Sequence, residues 1–295
     1  MAFEVSAPPE SGALEADPSF EALRGVIWAR LGIDLSHYKH GCVLRRVEVR
    51  LRAKGCSNLK AYLEELSGND EEIQELLSAL TINVTEFFRN PPCFAQIREL
   101  CLPKLFAGSD PGKVAGHSLP SREGPLRVWC AGCASGEESY SITILLREYL
   151  EAHQTVRPRS FEVCGTDLDA GMIARARMGY FEEDRLGGVS SERRERWFDK
   201  EGDGWRVKRR ISAAVRHEAG DVLRHAPEES QDMIVCRNMM IYLAREAQER
   251  LLDRFREVLA PGGFLILGRT ELLTRGARNH FETICPKERI YQVRG

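Results

Sequence analysis

The fold of this chain is decided at residues 127–142, which read Arg-Val-Trp-Cys-Ala-Gly-Cys-Ala-Ser-Gly-Glu-Glu-Ser-Tyr-Ser-Ile. We interpret residues 126–129 as a short buried strand, the small residues after it as a turn, and the apolar spacing beyond Gly136 as a helix. Such a turn lets the backbone approach a ligand closely and leaves N–H groups free at the helix start. The glycines are spaced G-x-x-x-G, unlike a dinucleotide-binding turn, and the acidic pair Glu137-Glu138 stands where a phosphate would lie. The turn therefore favours a ligand with a positive group, such as an amino acid moiety or a sulfonium; an ordinary α/β crossover is the alternative.

Strands and helices alternate regularly after this turn. Residues 161–167 read as a strand that ends in Asp167, and residues 232–236 read as another that Arg237 and Asn238 follow. Because such alternation builds a mostly parallel sheet covered by helices, we predict an α/β fold with these polar residues at the C-terminal strand ends, where open sheets bind ligands. Asp167 could accept hydrogen bonds from both hydroxyls of a ribose. A helix N-cap is the alternative role, although Asp169 fits it better.

Residues from about 180 to 215 interrupt this alternation. We predict a short charged helix at 190–198 and hairpin strands at 204–208 and 210–215, with residues 200–204 as the turn of the excursion. Residues 215–218 then return to the main sheet. Residues 264–267 and 290–293 supply its last strands.

The N-terminal third reads as a small all-α domain. Residues 1–17 hold four acids and no base and are expected to be a disordered leader, residues 18–90 form the helical domain and its linker, and residues 91–295 form the larger domain. Helices are predicted at 20–32, 40–54, 59–66 and 70–80. The second carries six Lys or Arg and one acid between residues 39 and 54. Its basic face is either solvated or a docking surface for an acidic partner, formed by Arg45, Arg46, Arg50 and Arg52.

Composition narrows the possible partners. The chain has 295 residues and a formal net charge of −2, so nucleic acid is not an expected partner. It has no run of about 18 apolar residues and no secretory pattern, so we expect a cytoplasmic protein without membrane insertion. Nine scattered cysteines indicate reduced, buried thiols. The C-x-x-C of Cys130 and Cys133 precedes the helix start and has no second pair, so we expect packing residues and no metal. No helix has a second apolar face, which favours a monomer.

Four motifs, at residues 81–89, 131–141, 165–167 and 236–242, resemble the signatures of the CheR-type chemotaxis receptor methyltransferases, in order along the chain. The resemblance implies a class I, Rossmann-like S-adenosylmethionine-dependent methyltransferase fold with a small all-α N-terminal domain and an inserted antiparallel β-subdomain. It also implies S-adenosylmethionine as methyl donor and S-adenosylhomocysteine as product. The implied acceptor is a glutamate side chain in the cytoplasmic helical bundle of a chemoreceptor, which becomes a glutamyl methyl ester.

The resemblance also assigns site residues. The implied cofactor-binding residues are Asn83, Thr85, Arg89, Gly132, Glu137, Asp167, Asp221, Val222, Arg237 and Asn238. Glu137 would face the methionine amino end, Asp167 the ribose, and Asp221 with Val222 the adenine, although many relatives carry Asn-Leu there. Arg89 and Tyr242 are the implied catalytic pair, which aligns the acceptor. A glutamate is ionised at neutral pH, since its usual pKa is about 4.3, so the transfer needs no general base.

Three departures from the family pattern leave alternatives open. Ser139 replaces the usual proline, the loop at 108–124 is longer than expected, and the subdomain turn near residues 202–204 is short. The short turn leaves open whether a receptor's C-terminal pentapeptide is recognised, and it favours the basic helix as the receptor contact. A non-catalytic, cofactor-binding relative that docks on receptors is the alternative function. A nucleic acid base methyltransferase is disfavoured, because Asn238 is followed by Met239-Met240 instead of two prolines and an aromatic residue.

Overall fold

A computed structural model describes residues 18–81, 83–107, 124–153 and 159–294. The predicted leader and nearly all of the predicted loop at 108–124 lie outside these residues. The chain forms two compact units. We call the first, which ends at Asn83 and also includes Tyr242–Ala247, the helical unit, and the second, formed by Val84–Ile241 and the residues from Gln248 on, the sheet unit.

The helical unit contains the predicted N-terminal helices. Their bounds are α1 Ser19–Leu31, α2 His40–Ala53, α3 Leu59–Leu66 and α4 Asp70–Thr81. Gly32 ends α1 in the left-handed conformation, and the Asn58 side chain caps α3 by accepting from the backbone N–H of Ala61. The apolar faces of these helices meet around Tyr62 and Leu66, which are fully buried. The predicted helix positions are therefore confirmed.

One member of the predicted basic face pairs with a buried acid of this unit. Arg50 donates from Nε and Nη2 to the two carboxylate oxygens of Glu72, at 2.9 and 2.6 Å, and Tyr62 donates to the same carboxylate at 2.7 Å. The Glu72 side chain is only 2% exposed. The Arg50 side chain is 17% exposed and is the counter-ion of this buried acid, so a further part in a docking surface stays a prediction. Arg45 and Arg52 are exposed on α2, as predicted, and Arg46 is half-buried.

The main sheet of the sheet unit has, in the described part of the chain, seven strands in the order β6-β2-β1-β7-β8-β10-β9. Their bounds are β1 Leu126–Ala131, β2 Phe161–Asp167, β6 Val215–Ala219, β7 Gln231–Cys236, β8 Leu259–Leu267, β9 Phe281–Cys285 and β10 Ile290–Val293. The strands from β6 to β8 pair in parallel, and β10 is antiparallel to both of its neighbours. The predicted mostly parallel sheet is confirmed, and β9 is a further strand that the sequence interpretation missed.

The sheet unit also contains helices. The first runs through α5 Pro91–Gln96, a π-helical turn at Ile97–Cys101 and α6 Leu102–Ala107. The others are α7 Glu137–His153, α8 Ala170–Met178, α9 Ser191–Trp197 and α10 Arg209–Ser212. Helix α11, Arg245–Val258, begins within the Tyr242–Ala247 segment and continues in the sheet unit. None of the helices that the structure describes is long and apolar enough to cross a membrane.

The predicted excursion is a small antiparallel sheet with a different hairpin. Its strands, in the order β3-β5-β4, are β3 Tyr180–Glu182, β4 Phe198–Glu201 and β5 Gly204–Val207. The strand predicted at 210–215 was wrong, because α10 occupies the first half of that range and β4 is the partner of β5. Phe87 packs edge-to-face on Phe181 and Phe198 at ring-centroid distances of 4.8 and 5.3 Å. This aromatic cluster joins the small sheet to the segment that precedes α5.

Candidate active site

The turn after β1 is built as the sequence predicts, from small residues with positive φ values. Gly132, Ala134 and Gly136 all have positive φ values, of 79°, 46° and 95°. A Cβ on Gly136 would lie 3.0 Å from the Cβ of Ala176 and 3.1 Å from Nε2 of His217, so packing and conformation both favour glycine there. The backbone N–H groups of Gly132 and Cys133 donate to the Thr166 carbonyl of the neighbouring strand. The turn is therefore fixed to the end of β2.

Asp167 holds this turn at its sharpest point. Its Oδ2 accepts from the Ala134 N–H at 2.8 Å, and its Oδ1 accepts from the Asp169 N–H at 3.0 Å. Burial raises the pKa of this carboxyl, and these backbone hydrogen bonds oppose the rise. Asp169, and not Asp167, caps α8. An ionised carboxylate has about four lone-pair positions, so Asp167 retains the capacity to accept from a ribose.

Glu137, the first residue of α7, is a fully buried acid. Its Oε2 accepts from the Ser135 hydroxyl at 2.8 Å, and its Oε1 accepts from Nη2 of Arg185 at 2.7 Å. Arg185 follows β3 in the excursion and did not figure in the sequence interpretation. Because the segment around it is rich in charge, its sequence is typical of a solvated turn and gives no sign of this contact.

Glu138, beside it, pairs with a different arginine. Nη1 of Arg237 donates to Glu138 at 2.9 Å, and Nη2 donates to the backbone carbonyl of Arg89 at 2.6 Å. The Arg237 side chain is 4% exposed. Arg237 therefore connects the strand end of β7 to the segment that carries Arg89, and a direct contact with a ligand stays a prediction. Burial raises the pKa of Glu138, which the arginine opposes.

The loop after β7 depends on an acid that the sequence interpretation missed. Asn238 has a φ of 62°, and its backbone N–H donates to Oε2 of Glu271 at 2.9 Å. The N–H of Gly268 donates to the same oxygen at 2.6 Å. A Cβ on Gly268 would lie 2.6 Å from that oxygen, so only glycine fits. The sequence did offer one signal for this role of Glu271, which is its position shortly after the end of the parallel strand β8.

The segment before α5 presents Thr85 and Arg89. Phe87 and Phe88 are buried and anchor it, and the Phe88 N–H donates to the Ser141 hydroxyl of α7 at 2.9 Å. Nη1 of Arg89 donates to the Val84 carbonyl at 2.9 Å, and both Thr85 and Arg89 are half-buried. The structure therefore brings Arg89, Arg237 and α7 together.

The remaining predicted residues fall into two groups. Asp221 and Val222 follow β6, beside β2, and the Asp221 side chain accepts from the Leu223 N–H at 2.9 Å in a tight turn. Asn83 and Tyr242 belong to the helical unit, where the Tyr242 carbonyl accepts from the Lys39 N–H at 2.8 Å. Roles for these residues stay predictions.

The C-x-x-C cysteines are packing residues, as expected. Cys130 and Cys133 are buried and free, and burial raises the pKa of both thiols well above the usual value. The Cys133 sulfur fills the space beside Gly165, where an added Cβ would lie 2.9 Å away. Within the four described ranges, no cluster of three or more His, Cys, Asp or Glu has an arrangement that could hold a metal ion.

Comparison with known proteins identifies the family of this chain. The family model "CheR methyltransferase, SAM binding domain" matches residues 83–290, and "CheR methyltransferase, all-alpha domain" matches residues 18–81. A chemotaxis protein methyltransferase from Salmonella typhimurium is 31% identical over 87% of this chain and 84% of its own length. Chemotaxis protein methyltransferase 1 from Pseudomonas aeruginosa is 28% identical over 95% of this chain and 99% of its own length.

A longer relative also matches. An uncharacterized 104.1 kDa protein from Rhodobacter capsulatus is 31% identical over 88% of this chain, which spans only 26% of that protein. The family matches and the fold, a mostly parallel sheet with a small antiparallel sheet and an all-α N-terminal part, agree with one another. The chain belongs to the CheR methyltransferase family and is an S-adenosylmethionine-dependent methyltransferase.

Proposed function

We propose that this chain methylates glutamate side chains in the cytoplasmic helical bundle of a chemoreceptor, in sensory adaptation of the chemotaxis type. The names of the chemotaxis methyltransferases that it resembles support this acceptor class. The observation that carries the proposal is the buried Arg237, which joins Glu138 on α7 to the backbone of Arg89. Through this contact the segment with the proposed catalytic arginine is fixed beside the acidic turn.

The residues at the strand ends fit the proposed cofactor. Glu137 is a fully buried acid that suits the ammonium group of a methionine end, and Asp167 suits ribose hydroxyls. Gly132 leaves the space above the strand end open, because it has no side chain. A Cβ at this position would lie 3.1 Å from the Met239 side chain and would crowd it. The cofactor, when bound, supplies a methyl group on a positively charged sulfur. Asn83, Thr85, Asp221, Val222 and Asn238 complete the proposed pocket.

The protein's own chemical task is alignment. An acceptor glutamate is already ionised at neutral pH, so the enzyme has to desolvate and orient a carboxylate. Arg89 would hold that carboxylate through the N–H donors at the edge of its planar guanidinium, and Tyr242 would help to orient it. Since Nη1 of Arg89 is held by the Val84 carbonyl, the guanidinium is partly oriented before the acceptor arrives.

Receptor docking is the second part of the proposal. Arg45, Arg46 and Arg52 remain on the basic face of α2, and Val49 between them is 51% exposed. An apolar residue framed by arginines suits an acidic helix with some apolar surface. The predicted role of Arg50 is not part of this proposal.

The test uses S-adenosylmethionine with a labelled methyl group and chemoreceptor-containing membranes. Label released as methanol by mild base identifies a glutamyl ester, because N-methyl groups resist base. We expect Arg89→Ala to reduce this release at least about 100-fold, as is typical when a positioning contact is lost. Arg98→Ala, which removes an exposed arginine from the π-helical turn, is the matched control and should be unaffected.

Each result has a distinct meaning. Near-normal release by Arg89→Ala would remove Arg89 from catalysis. Absence of ester label with the wild-type protein, while cofactor binding is intact, would favour the non-catalytic docking relative.

A further inference from the structure

We propose that Arg185 binds the α-carboxylate of the cofactor's methionine end, next to the Glu137 that takes its ammonium group. This inference rests on the proposed role of Glu137. It adds to the pocket a residue from outside the four sequence motifs, contributed by the inserted excursion that carries the small sheet.

The charges of this pair match an amino acid and not a simple cation. Each oxygen of Glu137 already accepts one hydrogen bond, one from Nη2 of Arg185 at 2.7 Å and the other from the Ser135 hydroxyl at 2.8 Å. A lone cation that approached Glu137 would therefore meet a guanidinium already in place. An amino acid carries its ammonium and carboxylate on one carbon atom, so it can offer each member of the pair an opposite charge. The Glu137–Arg185 pair is thus selective for a zwitterion.

Arg185 also has hydrogen-bonding capacity to spare. Its side chain is 36% exposed, whereas that of Glu137 is 0% exposed. Nη2 makes both of its side-chain contacts, to Glu137 and to Ser135 at 3.1 Å. Among the residues that the structure describes, Nε and Nη1 have no hydrogen-bond partner. A guanidinium has five N–H donors in a planar fork, and that fork binds a carboxylate through two parallel hydrogen bonds.

The position of Arg185 is fixed before any ligand binds. It lies in a short 3-10 turn, Glu183–Leu186, whose last residue is fully buried. The Val189 N–H donates to the Leu186 carbonyl at 2.8 Å. A Cβ on Gly188 would lie 2.1 Å from the Phe87 carbonyl oxygen, so the following residues press directly against the segment before α5. A preset guanidinium loses little entropy on binding, which favours affinity.

The neighbouring charges do not compete for the guanidinium. Glu183, two residues earlier, pairs with Arg194 and Lys200 and accepts from the Trp205 indole. Glu183 therefore contacts residues of the small sheet and its neighbouring helix, while Arg185 contacts Ser135 and Glu137 after β1.

The experiment compares two ligands by titration calorimetry. S-adenosylmethionine carries the α-carboxylate, and decarboxylated S-adenosylmethionine lacks it but keeps the ammonium and sulfonium groups. We expect Arg185→Met to weaken binding of the first by about 10- to 100-fold, the usual effect of losing a charged hydrogen-bonding partner. Binding of the decarboxylated ligand should be unchanged or tighter, because Glu137 loses its internal competitor. Arg206→Met, which removes an exposed arginine of the small sheet, is the control and should affect neither ligand.

Other outcomes overturn the proposal in distinguishable ways. Equal weakening for both ligands would make Arg185 only the counter-ion of Glu137, and no weakening for either would remove it from the site. Arg185→Lys keeps the positive charge without the guanidinium fork and should lose less affinity for S-adenosylmethionine than Arg185→Met. This second variant keeps the test valid if Arg185→Met fails to fold. Glu137→Gln should weaken both ligands, since both keep the ammonium group. If the wild-type protein bound neither ligand, the cofactor assignment itself would fail.

Discussion

Replacement of Arg50 by alanine tests whether this arginine stabilises the helical unit or contributes to docking. In the native protein its guanidinium makes two hydrogen bonds to Glu72, a carboxylate that is 2% exposed. Removing one partner of a buried ion pair costs about 3–5 kcal/mol, because the other charge stays buried and uncompensated. Two other partners of Glu72 remain in the variant, the Tyr62 hydroxyl and Lys54, whose Nζ lies 3.9 Å from the carboxylate. We therefore expect the unfolding free energy to fall by about 3 kcal/mol, the lower end of this range.

The assay is urea denaturation followed by circular dichroism, with Arg52→Ala as the control on the same helix. Arg52 is 58% exposed and pairs only loosely with Glu48, at 3.9 Å, so its loss should change the unfolding free energy by less than about 0.5 kcal/mol. Arg52→Glu, in contrast, should weaken receptor binding with only a small loss of stability from repulsion by Glu48. Equal effects of Arg50→Ala and Arg52→Ala on the unfolding free energy would refute a stabilising role of Arg50 as the counter-ion of Glu72.

The pH dependence supplies a second check on the Arg50 variant. Burial acts to raise the pKa of Glu72, but hydrogen bonds from Arg50 and Tyr62 outweigh it and hold the pKa below the usual value of 4.5. A lowered folded-state pKa stabilises the protein above the unfolded-state pKa, and this contribution is lost as the pH falls through the folded-state value. The stability gap between wild type and Arg50→Ala should therefore be largest above about pH 4.5 and narrow in acid.

Two further predictions concern the site. Arg237→Met should lower the unfolding free energy by about 3–5 kcal/mol, because Glu138 stays buried without its partner. The double variant with Glu138→Gln should recover much of that free energy. Urea denaturation of both variants measures the two values, and an unchanged stability of Arg237→Met would contradict the pairing. Burial lowers the pKa of His217 from 6.5 to about 4, so its contribution to stability is complete above pH 6.5 and is lost as the pH falls towards 4, by about 3 kcal/mol. His217→Gln should reduce the loss of stability between pH 7 and 4 by that amount, and an unchanged loss would contradict a neutral buried imidazole.

The sequence was sufficient wherever local pattern determines structure. The strands β1, β2 and β7 are apolar runs bounded by turn residues, and burial on both faces makes such runs easy to recognise. Strand β4 reads Phe-Asp-Lys-Glu and was taken in part for a turn. It is a strand because Asp199 pairs with Arg206 and Lys200 with Trp205 across the hairpin, and such partners are not visible in a local window. Strand β9 lies at the sheet edge and was missed because its exposed residues weaken the apolar pattern.

The site shows the same limit at the level of single residues. The basic face of α2 was visible in the sequence, but the position of Glu72 across from Arg50 depends on how α4 packs. Arg185 lies far along the chain from Glu137, as Glu271 does from Asn238, and neither Arg185 nor Glu271 belongs to a recognised motif. Local patterns therefore predicted the turns at the strand ends, and tertiary packing decided which charged side chains contact them.

The buried acids at the strand ends perform two different physical tasks. Asp167, at the end of β2, accepts from the N–H of Ala134 in the turn after β1, and Glu271, after β8, accepts from the N–H of Asn238 after β7. In both cases the acid comes from beside the neighbouring strand, and the donor has a left-handed backbone, with φ values of 46° and 62°. Such conformations cost energy outside glycine and persist where the surroundings determine them, so these two acids fix the shape of the turns.

Glu137 and Glu138 differ because arginine side chains are their counter-ions. The Arg237 side chain is 4% exposed and also donates to the Arg89 carbonyl, so the ion pair between Glu138 and Arg237 stabilises the folded protein. Arg185 is 36% exposed and can share its partner with an incoming charge. Of these four acids, Glu137 is therefore the one with a partly exposed counter-ion, and this difference is why we propose a binding role for Glu137 and a structural role for Glu138.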